Sequence, residues 1–231
     1  MLKWREDVIS WEDYVVGKAN ADAYHVARKF IQPSCDGNIL FVTGNIGSGK
    51  TYLIKAVEME FLTQNQSVKR VNSDQFVGEL IWHLSKNKED NAAKTFCAEY
   101  ETYDVLLLDD IHFLEGKEST QKYFAYLLSQ FSKHQKKVMI TSVKELSEYK
   151  WLQETMSSYE IVMEQVQIQD ADVELKEKIV EKLQEKWGYE LSEESRKLIV
   201  ENAKDIRQLE GMFKKIMAYA QLMGNVELTD N

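Results

Sequence analysis

One stretch limits what this chain can fold into more than any other: Gly44-Asn45-Ile46-Gly47-Ser48-Gly49-Lys50-Thr51, which satisfies G-x-x-x-x-G-K-[ST]. It follows the apolar run NILFVT at 38–43 and precedes a helical pattern at 50–63. A strand, a glycine loop and a helix in that order turn backbone N–H groups toward an anion at a helix N-terminus. Asn45, Ile46, Gly47, Ser48, Gly49, Lys50 and Thr51 are therefore expected to cradle nucleotide phosphates. Lys50 would reach the β and γ phosphates, and the Thr51 hydroxyl would ligate Mg²⁺. ATP or ADP with Mg²⁺ is the implied cofactor.

Two more short apolar runs, DVLLL at 104–108 and VMITS at 138–142, read as further buried parallel strands. Helical patterns separate them: 74–86, with Phe76, Leu80, Ile81 and Leu84 on one face, and 118–133. Strand alternating with helix predicts an α/β fold, a parallel doubly wound sheet. From about residue 172 the pattern is helical only. Leu175, Ile179, Val180, Leu183 and Trp187 share one face, and a second helix opens near Ser192, a residue suited to capping it. A third helix starts at Asp205, with Ile206, Leu209, Phe213, Ile216 and Met217 turned inward. The expected division is a nucleotide-binding domain over 1–170 and a C-terminal helical unit over 171–231.

The strand VLLL delivers Asp109 and Asp110 at its carboxyl end, where open parallel sheets bind ligands. Asp109 is the expected Mg²⁺ carboxylate, and Asp110 is placed to orient or deprotonate a water. The next strand ends in Thr141-Ser142, either of which is placed to sense a γ-phosphate. Arg207, at the start of the last helix, is a candidate to fold over the phosphates.

With 44% apolar and 29% charged residues and no apolar run near the roughly 20 residues a bilayer span needs, the composition is that of a soluble protein. No signal-peptide pattern opens the chain, so the expected location is cytoplasmic. A formal net charge of -9 works against delocalised binding to phosphate backbones, which draws on clustered Lys and Arg. Cys35 and Cys97 have no metal or redox spacing and are expected as reduced thiols.

Three further segments join these motifs. They are Val15-Val16-Gly17-Lys18-Ala19-Asn20, then Leu107-Leu108-Asp109-Asp110-Ile111-His112-Phe113-Leu114 with Gly116-Lys117-Glu118, and Ile206-Arg207-Gln208-Leu209-Glu210-Gly211. In order and spacing, from about Trp11 to Gly224, the chain resembles the ATPase module of the DnaA-like AAA+ family. The resemblance implies an AAA+ P-loop NTPase fold whose helical unit is a lid. It also implies an adenine pocket lined from the entry segment, including Val16 and Gly17, and a nucleotide-sensing role for Arg207. The implied function is an ATP-dependent switch in the initiation of DNA replication or its regulation, acting through contacts with replication proteins such as an initiator or a helicase. The alternative is an active ATPase that remodels DNA or loads the replicative helicase.

The length resembles that of small DnaA-like regulators without a duplex-DNA-binding domain. The helical unit is slightly acidic and no recognition helix with clustered Arg or Lys follows Gly211, so no sequence-specific duplex binding is expected, and with no apolar span no membrane partner is expected. Val77 and Lys117 match family positions that contact single-stranded DNA. The segment from Phe96 to Asp104 instead carries Cys97, Ala98 and Glu101 where basic residues are common, so that contact is expected to be weak. Initiators also present an arginine finger after the third apolar strand. Here Thr155 and Tyr159 fall in that place, and 151–175 contains neither Lys nor Arg. Hydrolysis is accordingly expected to be slow.

Overall fold

The computed structural model describes residues 9–33, 35, 37–86 and 92–222. The first eight residues, Gly224 and the end of the expected helical unit lie outside them. Five strands form one sheet: β1 (Ile39–Gly44), β2 (Val68–Asn72), β3 (Val105–Asp109), β4 (Lys137–Ser142) and β5 (Glu164–Ile168). Their order is β2-β3-β4-β1-β5 and every pairing is parallel. The three strands read as apolar runs, β1, β3 and β4, are the three at the centre. They are hydrophobic throughout because helices cover both of their faces.

Alternation along the strands supplies two cores. Ile39, Phe41, Leu106, Leu108, Val138 and Ile140 face one side. There they meet α3 (Ser73–Lys86), α4 (Ala92–Tyr100), α5 (Glu118–Lys133) and α6 (Lys150–Ser158). Leu40, Val42, Leu107 and Met139 face the other, against α1 (Ala21–Phe30) and α2 (Lys50–Thr63). Within the first core, Phe76 packs edge-on against Phe96, Tyr100 and Phe124, with ring centroids 5.4, 5.4 and 5.6 Å away. Truncating a ring buried this way typically costs about 3–5 kcal/mol.

The expected face of α3 needs correcting. Phe76 and Leu80 are buried, but Ile81 and Leu84 are 60% and 41% exposed. At 100° per residue Ile81 stands about 140° round the helix from Phe76. Leu84 lies in the final turn of the helix.

The chain then folds three helices around a third core: α7 (Val173–Trp187), α8 (Glu193–Asn202) and α9 (Ile206–Leu222). Leu175, Ile179, Val180, Leu183, Leu209, Phe213 and Met217 are its buried centre, with Trp187 and Ile216 packed at the margin. Each helix opens on a side-chain cap. Asp172 accepts from Leu175 N at 2.8 Å, Ser192 from Ser195 N at 3.2 Å, and Asp205 from Gln208 N at 2.8 Å. Such caps each contribute about 1 kcal/mol by satisfying donors that the helix leaves unpaired.

Candidate nucleotide site

The loop between β1 and α2 turns where glycine alone is comfortable. Gly47 has φ 77°, and Gly49, the N-cap of α2, has φ 103°. The turn aims the first amides of α2 into a cleft lined by Gly47, Lys50, Thr51, Asp110, His112 and Arg207. Lys50 is buried, and its ammonium donates to the carbonyls of Gly44 (2.7 Å) and Asn45 (2.9 Å). Burial pulls its pKa below the ordinary lysine range, while the Asp110 and Asp109 carboxylates pull the other way. Inside the same loop the Ser48 hydroxyl is buried without a hydrogen-bond partner. Asn45 donates its side-chain amide to Asp170 at 2.9 Å, and Ile46 is exposed.

The sheet brings the acidic and hydroxyl groups together. Asp109 ends β3, is buried, and accepts from the Thr51 hydroxyl at 3.0 Å through one carboxylate oxygen. Its other oxygen accepts from the Thr141 hydroxyl, across from β4. The Thr141 oxygen in turn accepts from Asp110 N at 2.9 Å. One hydroxyl thus fixes both aspartates. Ser142, the other residue open on sequence grounds, points to the opposite face and bonds the Tyr149 hydroxyl at 2.7 Å. Strand alternation puts Thr141, and not Ser142, on the face beside Asp109.

Asp110 has a left-handed backbone, φ 61°, and its carbonyl accepts from Ser73 Oγ at 2.8 Å. Burial first, and then the charge of Asp109, push its carboxyl above the ordinary range; His112, Lys50 and Arg207 oppose this. His112 lies 3.8 Å from the Asp110 carboxylate, and its Nδ1 is buried without a hydrogen-bond partner.

Arg207 enters from α9, and the start of that helix touches the phosphate loop directly. Ile206 N donates to the Gly47 carbonyl at 3.1 Å. A second, more apolar cavity adjoins the cleft and is lined by Tyr14, Val15, Asn20, Ile179 and Leu183. Of the entry-segment residues predicted there, Val16 packs into the α1/α2 core. The Gly17 amide donates to Asn20 Oδ1 at 2.8 Å. Val77 and Lys117 lie elsewhere, Val77 half-buried against the α3 side of the sheet and Lys117 half-buried at 3.9 Å from Asp74.

A phosphate loop, a Thr-Asp pair and an arginine from a helical unit on this strand order are the arrangement of AAA+ domains. The family model for the bacterial DnaA ATPase domain matches residues 6–164. The chain belongs to that family. The replication initiator DnaA of Nautilia profundicola is 31% identical over 223 residues, which are 95% of this chain and 50% of that protein. The DnaA of Lachnoclostridium phytofermentans is 34% identical over 218 residues, 92% of this chain and 48% of that one. The chain therefore spans about half the length of the curated relatives it matches.

Among solved structures, domain III of Thermotoga maritima DnaA superposes with a TM-score of 0.83 at 26% identity, covering 95% of this chain and 92% of that one. A DnaA bound to AMPPCP and single-stranded DNA superposes with a TM-score of 0.78 at 28% identity, over 90% of this chain and 64% of that one. The expected fold, an α/β parallel sheet of the AAA+ type, is the one observed. No helix among the described residues is long and apolar enough to cross a membrane.

Tyr52 and Glu210 also line the cleft, and motif reading did not single them out as site residues. Tyr52 follows the motif by one residue. Glu210 is three residues beyond Arg207, hence on the same side of α9.

Proposed function

We propose that this chain binds ATP and ADP with Mg²⁺ and serves as a nucleotide switch in the initiation of DNA replication or its regulation. In this reading residues 1–170 hold the nucleotide, and the helical unit over 171–231 is the lid that reports it to other replication proteins. The observation that carries it is the convergence on one cleft of the phosphate loop, the Thr51–Asp109–Thr141 chain and Arg207. The donor set fits the ligand. The α2 N-terminus and Lys50 suit phosphate oxygens, and an unpartnered Ser48 hydroxyl sits in the same loop. Thr51 and Asp109 would hold Mg²⁺, a hard cation that favours oxygen ligands and keeps several waters. The metal's chemistry there is to neutralise charge on the phosphates.

Membership of the DnaA family supports the replication role, and the AMPPCP-bound relative supports the nucleotide. That relative's single-stranded DNA suggests weak strand binding here, through the region of Val77 and Lys117. A second reading, ATP turnover to remodel DNA or load a helicase, is favoured by Asp110, whose position suits orienting a water. Replacing Lys50 with Ala should lower ATP affinity at least about tenfold, about 1.4 kcal/mol. Calorimetry giving equal affinities for the two proteins would remove the site assignment.

A further inference from the structure

The apolar cavity and the phosphate cleft are adjacent compartments with a shared wall. Four residues line both of them: Gly49, Tyr52, Ile206 and Glu210. Only Tyr52 and Glu210 bring polar side chains to that boundary, and they are joined, the Tyr52 hydroxyl donating to Glu210 Oε1 at 2.5 Å. Tyr52 comes from α2, one residue after Thr51, and Glu210 from α9, three residues after Arg207. A nucleoside triphosphate with its base in one compartment and its phosphates in the other must carry its sugar across these four residues.

We infer that Glu210 reads the sugar: its carboxylate accepts a hydrogen bond from the 2′- or 3′-hydroxyl of ribose, and Tyr52 holds the carboxylate in position. The inference rests on the nucleotide reading given above. An ionised carboxylate accepts only, through about four lone-pair sites, so the Tyr52 bond leaves capacity for a further donor. Ribose hydroxyls are donors, and O–H bonds to a charged oxygen are among the stronger ones. An acidic side chain on a ribose hydroxyl is also the solution used by dinucleotide-binding folds of unrelated strand order. The placement has a mechanical consequence. Glu210 and Arg207 occupy one face of α9, so a ribonucleotide would engage that helix at its sugar and at its phosphates together. A deoxynucleotide would engage it through Arg207 alone.

A plain alternative is that the Tyr52–Glu210 bond only ties α9 to α2. Calorimetry on the full chain separates the two, with ATP, 2′-deoxy-ATP and 3′-deoxy-ATP measured against wild type, Glu210→Ala, Glu210→Gln and Tyr52→Phe. Thermal melts verify that each variant folds. The expected result is that wild type loses about ten- to a hundredfold in affinity for at least one deoxy analogue, the range for a hydrogen bond to a charged group. Glu210→Ala should bind all three alike, within about threefold, and Glu210→Gln and Tyr52→Phe should narrow the gap. Equal affinities of wild type for the three nucleotides would overturn the sugar assignment while leaving the nucleotide site in place. So would a Glu210→Ala protein that binds all three more weakly but keeps the wild-type preference, because a tie between helices would do that. Failure of wild type to bind ATP at all would instead overturn the nucleotide reading and this inference with it.

Discussion

Asp110 is where site chemistry and stability pull in opposite directions. Its carboxyl is held above the ordinary range by burial and by Asp109. A carboxyl of that kind keeps its proton longer in the folded protein than in the unfolded chain. Stability is therefore full below the ordinary carboxylate range, about pH 4, and falls as pH rises through the raised folded value. At pH 7 the wild type carries this penalty, and Asp110→Asn should not. The variant is expected to melt higher than wild type at pH 7, with the difference shrinking toward pH 4, while ATP turnover falls because Asn cannot take a proton. Melting curves at several pH values test this, and a pH-independent difference would refute it. Single residues of the phosphate loop were legible in the sequence because their chemistry depends on local spacing. That Thr141 and not Ser142 stands beside Asp109 required the sheet, since it turns on which strand face meets that carboxylate. Glu210 and Tyr52 were not legible as a pair because they lie 158 positions apart in the chain.

Elements were legible where burial was two-sided. The central strands are apolar along their whole length, but β2 (VKRVN) and β5 (EQVQI) stand at the two ends of the sheet with one neighbour each and mix polar with apolar residues. Neither forms the continuous apolar run that marks a buried strand. Helices α1 and α4 were missed for a related reason. Their buried positions include Ala23, Ala27 and Cys97, small side chains that do not stand out as core markers in a sequence. The contact between α9 and the phosphate loop is the element-level feature most open to test. A Cβ on Gly47 would stand 2.5 Å from the Asp205 carboxylate, and the residue has φ 77°. Gly47→Ala should cost about 1–3 kcal/mol through backbone strain. It should also push α9 off the loop, weakening ATP binding at least about tenfold. The Ile206 amide, which now donates to the Gly47 carbonyl, should exchange with solvent faster in the variant. Wild-type affinity together with wild-type exchange would show that the helix yields without cost.

On the scale of the whole molecule, the charge the protein can bring to a transferring phosphate is one-sided. Lys50 and Arg207 line the cleft from the chain's own loop and helical unit. Phosphoryl transfer is accelerated mainly by positive charge set against the developing negative charge, and an arginine supplied by a neighbouring molecule is typically worth about 10³ to 10⁵ in rate. The face that would supply one runs from α6 through β5; α6 opens on the exposed Lys150, and from Trp151 to Leu175 there is neither Lys nor Arg. What it shows to solvent instead includes Tyr159, 52% exposed, and Val162, 81% exposed. A homo-oligomer built cleft-to-face would therefore bring no cation from 151–175 to each nucleotide, and exposed carboxylates such as Glu154 and Glu160 in its place, so hydrolysis should be slow and indifferent to self-assembly. The same asymmetry would let a different protein supply the missing cation to the cleft. Specific ATPase activity is thus expected to stay flat across a wide range of protein concentration, then to rise on addition of a full-length DnaA from the same host. That rise should vanish when Lys50→Ala replaces the wild type. Activity that climbs steeply with the concentration of this protein alone, and is lost in Lys50→Ala, would mean that a cation elsewhere in the chain completes the site.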